Sequence, residues 1–176
     1  MNDSNVNANV LFSLGANLGD RIGTLRHAAQ LLAERAVSDL HASSLYETEP
    51  VGFTEQPAFV NIAVIGVTRL TADELFRICK AIERECGRTP RPRWHEREID
   101  IDIILYGTSV LHDEDLHIPH PHAHERRFVL APAAEIAPQM RHPVLNATID
   151  ELLRHCPDTS TVIKLQPFSS FLPAQQ

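Results

Sequence analysis

The segment Glu98-Ile99-Asp100-Ile101-Asp102-Ile103-Ile104-Leu105-Tyr106 constrains the fold more than any other in the chain. Strand side chains point alternately to opposite faces, so Ile99, Ile101 and Ile103 share one face and Asp100 and Asp102 share the other. The strand rise sets the two aspartates about 7 Å apart along the backbone. The segment therefore predicts a sheet with an apolar side turned to a core and a second side that brings two carboxylates together. Close carboxylates repel unless positive charge lies between them. Mg²⁺ supplies that charge, takes oxygen ligands, and keeps waters and substrate phosphates in its shell. Taken alone, the pattern fits an exposed polar edge strand equally well.

The rest of the chain supplies partners for such a strand. Val10 to Leu14 reads as a short buried strand, broken by Gly15-Ala16-Asn17-Leu18-Gly19-Asp20. Ile22, Leu25, Ala28, Ala29 and Leu32 recur at helical spacing, so Arg21 to about Glu34 predicts a helix, with Asp20 as its cap. Val37 to Tyr46 predicts a second strand of mixed pattern. Glu47 to Pro57 reads as a long loop, and Ala58 to Thr68 as the clearest strand. Thr71-Ala72-Asp73-Glu74 is a capping-box pattern that opens a helix to about Cys86, with Gly87 as its stop. A second loop, Arg88 to Arg97, leads into the aspartate strand. Asp113 to Glu125 reads as irregular, and Phe128 to Glu135 and Ile149 to His155 as short helices. The order β-α-β-β-α-β predicts an α+β fold. It is a ferredoxin-like βαββαβ sandwich, with helices on one face of an antiparallel sheet and small C-terminal additions.

Length and charge narrow the class. The chain has 176 residues, which suits one domain. The expected layout is a leader at 1–9, a single domain at 10–165 and a poorly ordered tail at 166–176. Sixteen basic against 23 acidic residues give a net charge of −7, unfavourable for general nucleic-acid binding. No apolar run approaches the ~20 residues of a membrane helix. The polar start lacks the basic and apolar regions of a signal peptide. Cys79, Cys86 and Cys156 form neither a disulfide framework nor a zinc ribbon. The expectation is a cytoplasmic monomer with no nucleic-acid or membrane partner.

Five of the 16 basic residues, Arg84, Arg88, Arg91, Arg93 and Arg97, lie just before the aspartate strand. Arginine grips phosphate through a planar fork and keeps its charge. A basic approach to a carboxylate pair suits a Mg²⁺-nucleotide, although such a loop can also be a solvated charged face pairing with Glu83, Glu85, Glu96 and Glu98. Gly15 to Gly19 is too short for a Walker A loop and has no lysine. Phe59 and Asn61 alternate onto one strand face, where an aromatic and an amide can hold a flat heterocycle; Phe59 and Phe128 fit core packing as well. His112, His117, His120, His122 and His124 crowd one segment and His95 precedes the strand, but no zinc-ligand spacing is present. His120, between Pro119 and Pro121, is the stiffest of them and the best candidate for a phosphate or ribose contact.

Together these elements resemble the 6-hydroxymethyl-7,8-dihydropterin pyrophosphokinase family of folate biosynthesis. The matching pieces run in order from Leu14-Gly15-Ala16-Asn17-Leu18-Gly19 through Ser44-Leu45-Tyr46-Glu47-Thr48-Glu49-Pro50 and Gln56-Pro57-Ala58-Phe59-Val60-Asn61. They continue with Gly87-Arg88, Arg93 to Gly107, Ile118-Pro119-His120 and Arg126 to Pro132. The resemblance implies transfer of the β,γ-pyrophosphate of ATP to the pterin hydroxymethyl group, with release of AMP. It implies two Mg²⁺ ions on Asp100 and Asp102. Catalytic positions would be Arg88, Arg97, Asp100 and Asp102. ATP contacts would fall to Glu83, Arg88, Arg91, Trp94, Arg97, Ile103, His120 and Arg126. Pterin contacts would fall to Thr48, Val51, Phe59, Asn61, Trp94, Asp100 and Phe128. Three departures from the family pattern stand out. His95-Glu96 replaces Gly-Pro, Phe59 stands where Tyr is frequent, and Asp115 replaces a basic residue. Two other readings of the residues are a different metal-dependent phosphotransferase or hydrolase and a non-catalytic ferredoxin-like binding module. An RNA-binding sheet is disfavoured by the charge and by the lack of an RNP-like aromatic run.

Overall fold

A computed structural model describes residues 7–49, 55–90 and 95–168. Its central sheet is antiparallel. Strand β1 (Ala8–Ala16) pairs on one side with β4 (Phe59–Thr68) and on the other with β5 (Asp100–Tyr106). Along the far side of β4 run β2 (Ser38–Ala42) and β3 (Tyr46–Thr48), and β10 (Val162–Lys164) closes the edge beyond β3. The single second strand expected from 37 to 46 is thus two strands. Asp39 takes φ 50° beside a register shift between Ser38 and His41. Ser44 turns its N–H and hydroxyl away from β4, donating both to Glu135.

Alternation along β1 assigns the two faces. Val10, Phe12 and Leu14 pack with α1 (Arg21–Arg35) and α2 (Ala72–Glu85), together with Ile99, Ile101 and Ile103. Both helices are capped as their sequences predict: Asp20 accepts from Gly23 N–H, and Thr71 and Glu74 form a reciprocal capping box. On the opposite face Leu11, Ala63, Ile104 and Leu105 pack with α3 (Arg127–Ile136) and α4 (Ile149–Arg154). Helices therefore cover both faces, where the sequence reading places them on one. The reason lies partly in β5. Ile104 has no partner in β1, because Phe12 pairs with Ile103 and Leu11 with Leu105. This bulge reverses the alternation, so Ile104 and Leu105 both join the α3 side. That apolar end of β5 is roofed by α3, while the end carrying Asp100 and Asp102 stays open on the same face.

Smaller pieces frame the opening. The stretch 113–125 holds part of a short hairpin, β6 (Leu111–His112) with β7 (His117–Ile118), and a 3₁₀ turn at Ala123–Glu125. A second hairpin joins β8 (Arg141–His142) to β9 (Ala147–Thr148) ahead of α4. The described residues reach into both expected terminal segments. Ala8 and Asn9 belong to β1, and the carbonyl of Gln166 accepts from Leu45 N–H at 2.9 Å. Phe168 is buried in the α1/α2 core. Among the described residues no helix is long and apolar enough to cross a membrane.

Candidate active site

The open end of the sheet forms a cavity of about 350 Å³. Its floor comes from three neighbouring strands: Ser13 and Gly15 of β1, Phe59 and Asn61 of β4, and Asp100 and Asp102 of β5. The register aligns them, since Gly15 faces Asn61 on one side and Asp100 on the other, and Ser13 faces Asp102. Thr48 of β3 extends this row, and its hydroxyl accepts from the Asn61 amide at 2.7 Å. Gly15 is required by a close approach: an added Cβ would stand 2.5 Å from Asn61 Oδ1. Phe128, on the first turn of α3, closes one wall.

Cations line the aspartate end. Arg88 donates to Asp100 Oδ1 at 2.8 Å, and Arg97 donates to Asp100 Oδ2 at 2.9 Å. Both oxygens of Asp100 are thereby held by guanidinium groups. The Arg88 pKa is raised: burial opposes the charge, but Asp100 and Glu83 outweigh it. Among the described residues Asp102 makes no such pair. Burial, then the neighbouring Asp100 charge, pushes its pKa up to about 7. An undercompensated carboxylate beside one already attracting cations is a donor set suited to a hard divalent ion. Among the described residues no group of three His, Cys, Asp or Glu side chains could hold a metal. Two carboxylates nevertheless fit Mg²⁺, which commonly completes its shell with water and phosphate oxygens.

Arg126 and His120 complete the basic rim. The Arg126 guanidinium lies 5.8 Å from the Phe128 ring centre. His120 is fixed through its own N–H, which donates to Ile104 O at 3.0 Å. Its ring Nδ1 accepts from His122 N–H at 3.2 Å, which puts the proton of the neutral ring on Nε2. Burial first, then Arg126, lowers the His120 pKa to about 4. His120 is therefore a neutral hydrogen-bond donor near pH 7.

Ten residues expected from the sequence meet in this cavity: Thr48, Phe59, Asn61, Arg88, Arg97, Asp100, Asp102, His120, Arg126 and Phe128. Glu83 and Ile103 do not line it. Glu83 is buried beneath the wall, and the Ile103 side chain is in the core on the other sheet face. Val51, Arg91 and Trp94 lie outside the described residues. Lys80, Glu49, Gln56 and His95 line the cavity without having been expected there as site residues. For Lys80 the signal was its position one helical turn before Glu83 on α2. Asn17 also contributes, from below. It accepts from Arg97 N–H at 2.8 Å and donates to Gln56 and to the Pro57 carbonyl at 3.0 and 3.1 Å. One buried amide thus joins the two segments flanking the cavity.

The model of the family described as 7,8-dihydro-6-hydroxymethylpterin-pyrophosphokinase (HPPK) matches residues 11–138. The chain belongs to the HPPK family. That match spans β1 to just beyond α3 and includes every cavity residue named above. A Bacillus subtilis protein named 2-amino-4-hydroxy-6-hydroxymethyldihydropteridine pyrophosphokinase is 44% identical over 140 residues, 79% of this chain and 84% of that protein. An Aquifex aeolicus protein of the same name is 38% identical over 144 residues, covering 82% and 89%. The mitochondrial folate synthesis bifunctional protein of Arabidopsis thaliana is 42% identical over 127 residues, 72% of this chain but 23% of the relative. Among solved structures, Plasmodium falciparum HPPK-DHPS with STZ-DHP has a TM-score of 0.69 at 18% identity, covering 88% of this chain and 44% of that one. At that identity the likeness concerns the fold. The chain thus spans most of the two bacterial HPPK relatives and less than half of the bifunctional ones.

Proposed function

We propose that the cavity transfers pyrophosphate from ATP to the hydroxymethyl group of 6-hydroxymethyl-7,8-dihydropterin, releasing AMP, as a step of folate synthesis. The observation that carries this reading is the meeting of two unlike half-sites on one sheet face. The Asp100/Asp102 pair with Arg88, Arg97, Arg126 and His120 suits a polyphosphate. The Thr48–Asn61 amide pair with Phe59 and Phe128 suits a flat heterocycle with hydrogen-bonding edges. The strand order supports a ferredoxin-like plan for the first five strands, with β2 and β3 counted as one and with α3, α4 and β10 added.

In this reading the hydroxymethyl oxygen bonds to the β-phosphorus and gives up its proton to solvent. The bond from that phosphorus to the oxygen bridging the α-phosphorus breaks, and AMP leaves with that oxygen. Asp100 and Asp102 hold the Mg²⁺ that accompanies ATP, two ions in the fullest form. Held by those carboxylates, Mg²⁺ would supply neutralisation of phosphate charge and a lowered pKa for the attacking alcohol. Arg88 and Arg97, released in part from Asp100, turn to the phosphate oxygens and stabilise the charge that develops on the moving group. His120 offers Nε2–H to a phosphate or ribose oxygen. Asn61 and Thr48 orient the pterin edge between Phe59 and Phe128, which fixes the hydroxymethyl group for in-line attack.

The test is an AMP assay with ATP, Mg²⁺ and 6-hydroxymethyl-7,8-dihydropterin. AMP is expected only with all three present. AMP formed equally without pterin identifies a different phosphohydrolase, and no AMP under any condition removes the reading.

A further inference from the structure

One carboxyl side chain near the cavity is buried beneath its wall. Glu83 of α2 is 2% exposed. Its carboxylate is met from three directions. Lys80 Nζ donates to its two oxygens at 3.0 and 3.1 Å, and Ile101 N–H donates to Oε1 at 2.7 Å. Arg88 Nη1 lies 2.5 Å from Oε2 and also meets Asp100. Lys80 and Arg88 both line the cavity, and Ile101 is the residue between Asp100 and Asp102. Charges therefore alternate along one connected string: Lys80, Glu83, Arg88, Asp100, Arg97.

A carboxylate taken out of water is costly unless its partners are charged and well placed. Here the partners are two cations that a phosphate chain would need and the backbone that sets the aspartate spacing. We propose that Glu83 is a positioning residue for pyrophosphoryl transfer, holding Lys80 and Arg88 against the cavity wall and fixing the strand between Asp100 and Asp102. By the same geometry Lys80 is a further phosphate-facing cation of the site. This rests on the reaction proposed above, and its consequences fall on the nucleotide side. Phe59, Asn61 and Phe128 have no contact with Glu83 among the bonds described, so the pterin half-site is insulated from it.

Glu83→Gln keeps an oxygen for Ile101 N–H but removes the charge that holds Lys80 and Arg88. Its expected effect is about a tenfold or greater rise in the KM for ATP and in the dissociation constant of a non-hydrolysable ATP analogue with Mg²⁺. Pterin affinity, measured without nucleotide, is expected to stay within about twofold. Lys80→Gln alone should weaken the analogue several-fold, and adding it to Glu83→Gln should cost little more, because the two act through one contact. Parallel losses for both ligands, unchanged analogue affinity, or full additivity would overturn the proposal. Should Glu83→Gln fail to fold, Lys80→Gln decides: unchanged analogue affinity overturns it, and selective weakening upholds it. Wild-type protein that makes no AMP but shows the selective binding pattern separates failure of the proposed reaction from failure of the Glu83 assignment.

Discussion

At the scale of single residues, the site depends on small groups as much as on charged ones. Gly15 is the clearest case. Asn61 Oδ1 occupies the space that a Cβ at this position would need, and the amide is held there by the Thr48 hydroxyl. Gly15→Ala must push Asn61 aside and break that bond. Pterin affinity should fall about tenfold, in keeping with the loss of one or two oriented hydrogen bonds, while Mg²⁺–nucleotide affinity stays nearly unchanged. Isothermal titration with each ligand checks this, and equal weakening of both would contradict the division into two half-sites. Asp102→Asn keeps the size of the side chain and removes its charge. Turnover should drop by about a thousandfold or more, as expected when a metal's electrostatic contribution is lost, with the fold intact by circular dichroism. The charged and aromatic members of the site were legible in the sequence, because alternation on β5 and β4 puts Asp100, Asp102, Phe59 and Asn61 on predictable faces. Lys80 and Asn17 were not read as site residues. Their roles depend on which helix face meets β5 and on two segments converging from opposite ends of the chain, and neither is a local pattern.

Among the elements, the C-terminal segment matters more than its sequence suggests. Leu165 N–H donates to Leu45 O, Gln166 O accepts from Leu45 N–H, and Phe168 is 1% exposed within the α1/α2 core. In a short segment broken by Pro167 and Pro173, Phe168 carries no sustained periodic signal, so its burial could not be read from spacing. Phe168→Ala should cost about 3–5 kcal/mol by the usual range for buried Phe truncation, measured by urea unfolding. A loss under about 1 kcal/mol would show that the segment is not anchored. A second tie runs from α3 to the edge strands. Glu135 accepts from the Tyr46 hydroxyl at 2.7 Å and from the Ser44 hydroxyl and N–H, and Lys164 of β10 stands 3.4 Å away. These contacts explain why α3 covers the sheet face opposite α1 and α2. The sequence predicts a short helix over Phe128 to Glu135, but the choice of face was set by Glu135 and by the β5 bulge. Strand bulges of one residue leave the composition of a strand unchanged, so the alternation rule alone carries Leu105 to the wrong neighbour set.

For the molecule as a whole, two cavity groups give folding opposite responses to pH. His120 has its pKa lowered to about 4, against an ordinary 6.5, by burial and then by Arg126. The unfolded chain binds a proton there first, so this contribution is fully present above pH 6.5 and is lost as pH falls towards 4. Asp102 has its pKa raised from 3.8 to about 7, by burial and then by Asp100. The folded chain binds that proton first, so this contribution is present below pH 3.8 and is lost as pH rises towards 7. Between about pH 4 and 6.5 the two slopes oppose each other. Opposed slopes of this kind are expected to soften the stability loss on mild acidification. Glu135 adds an ordinary acid limb, because its pKa is lowered in the folded chain. Its burial alone would raise its pKa, but hydrogen bonds from Tyr46 and Ser44 outweigh this and hold it low, so its stabilisation is lost only as pH falls through its folded value. The expected outcome is a pair of opposite deviations from wild type in Mg²⁺-free urea unfolding at pH 4.5 and 6.5. Asp102→Asn should lose stability relative to wild type on going to pH 4.5, and His120→Gln should gain it. Deviations of the same sign in both variants would mean that the two groups do not titrate independently through the cavity. Both substitutions must be compared without Mg²⁺, because a bound cation would hold Asp102 ionised and abolish the acid-side difference that the test reads.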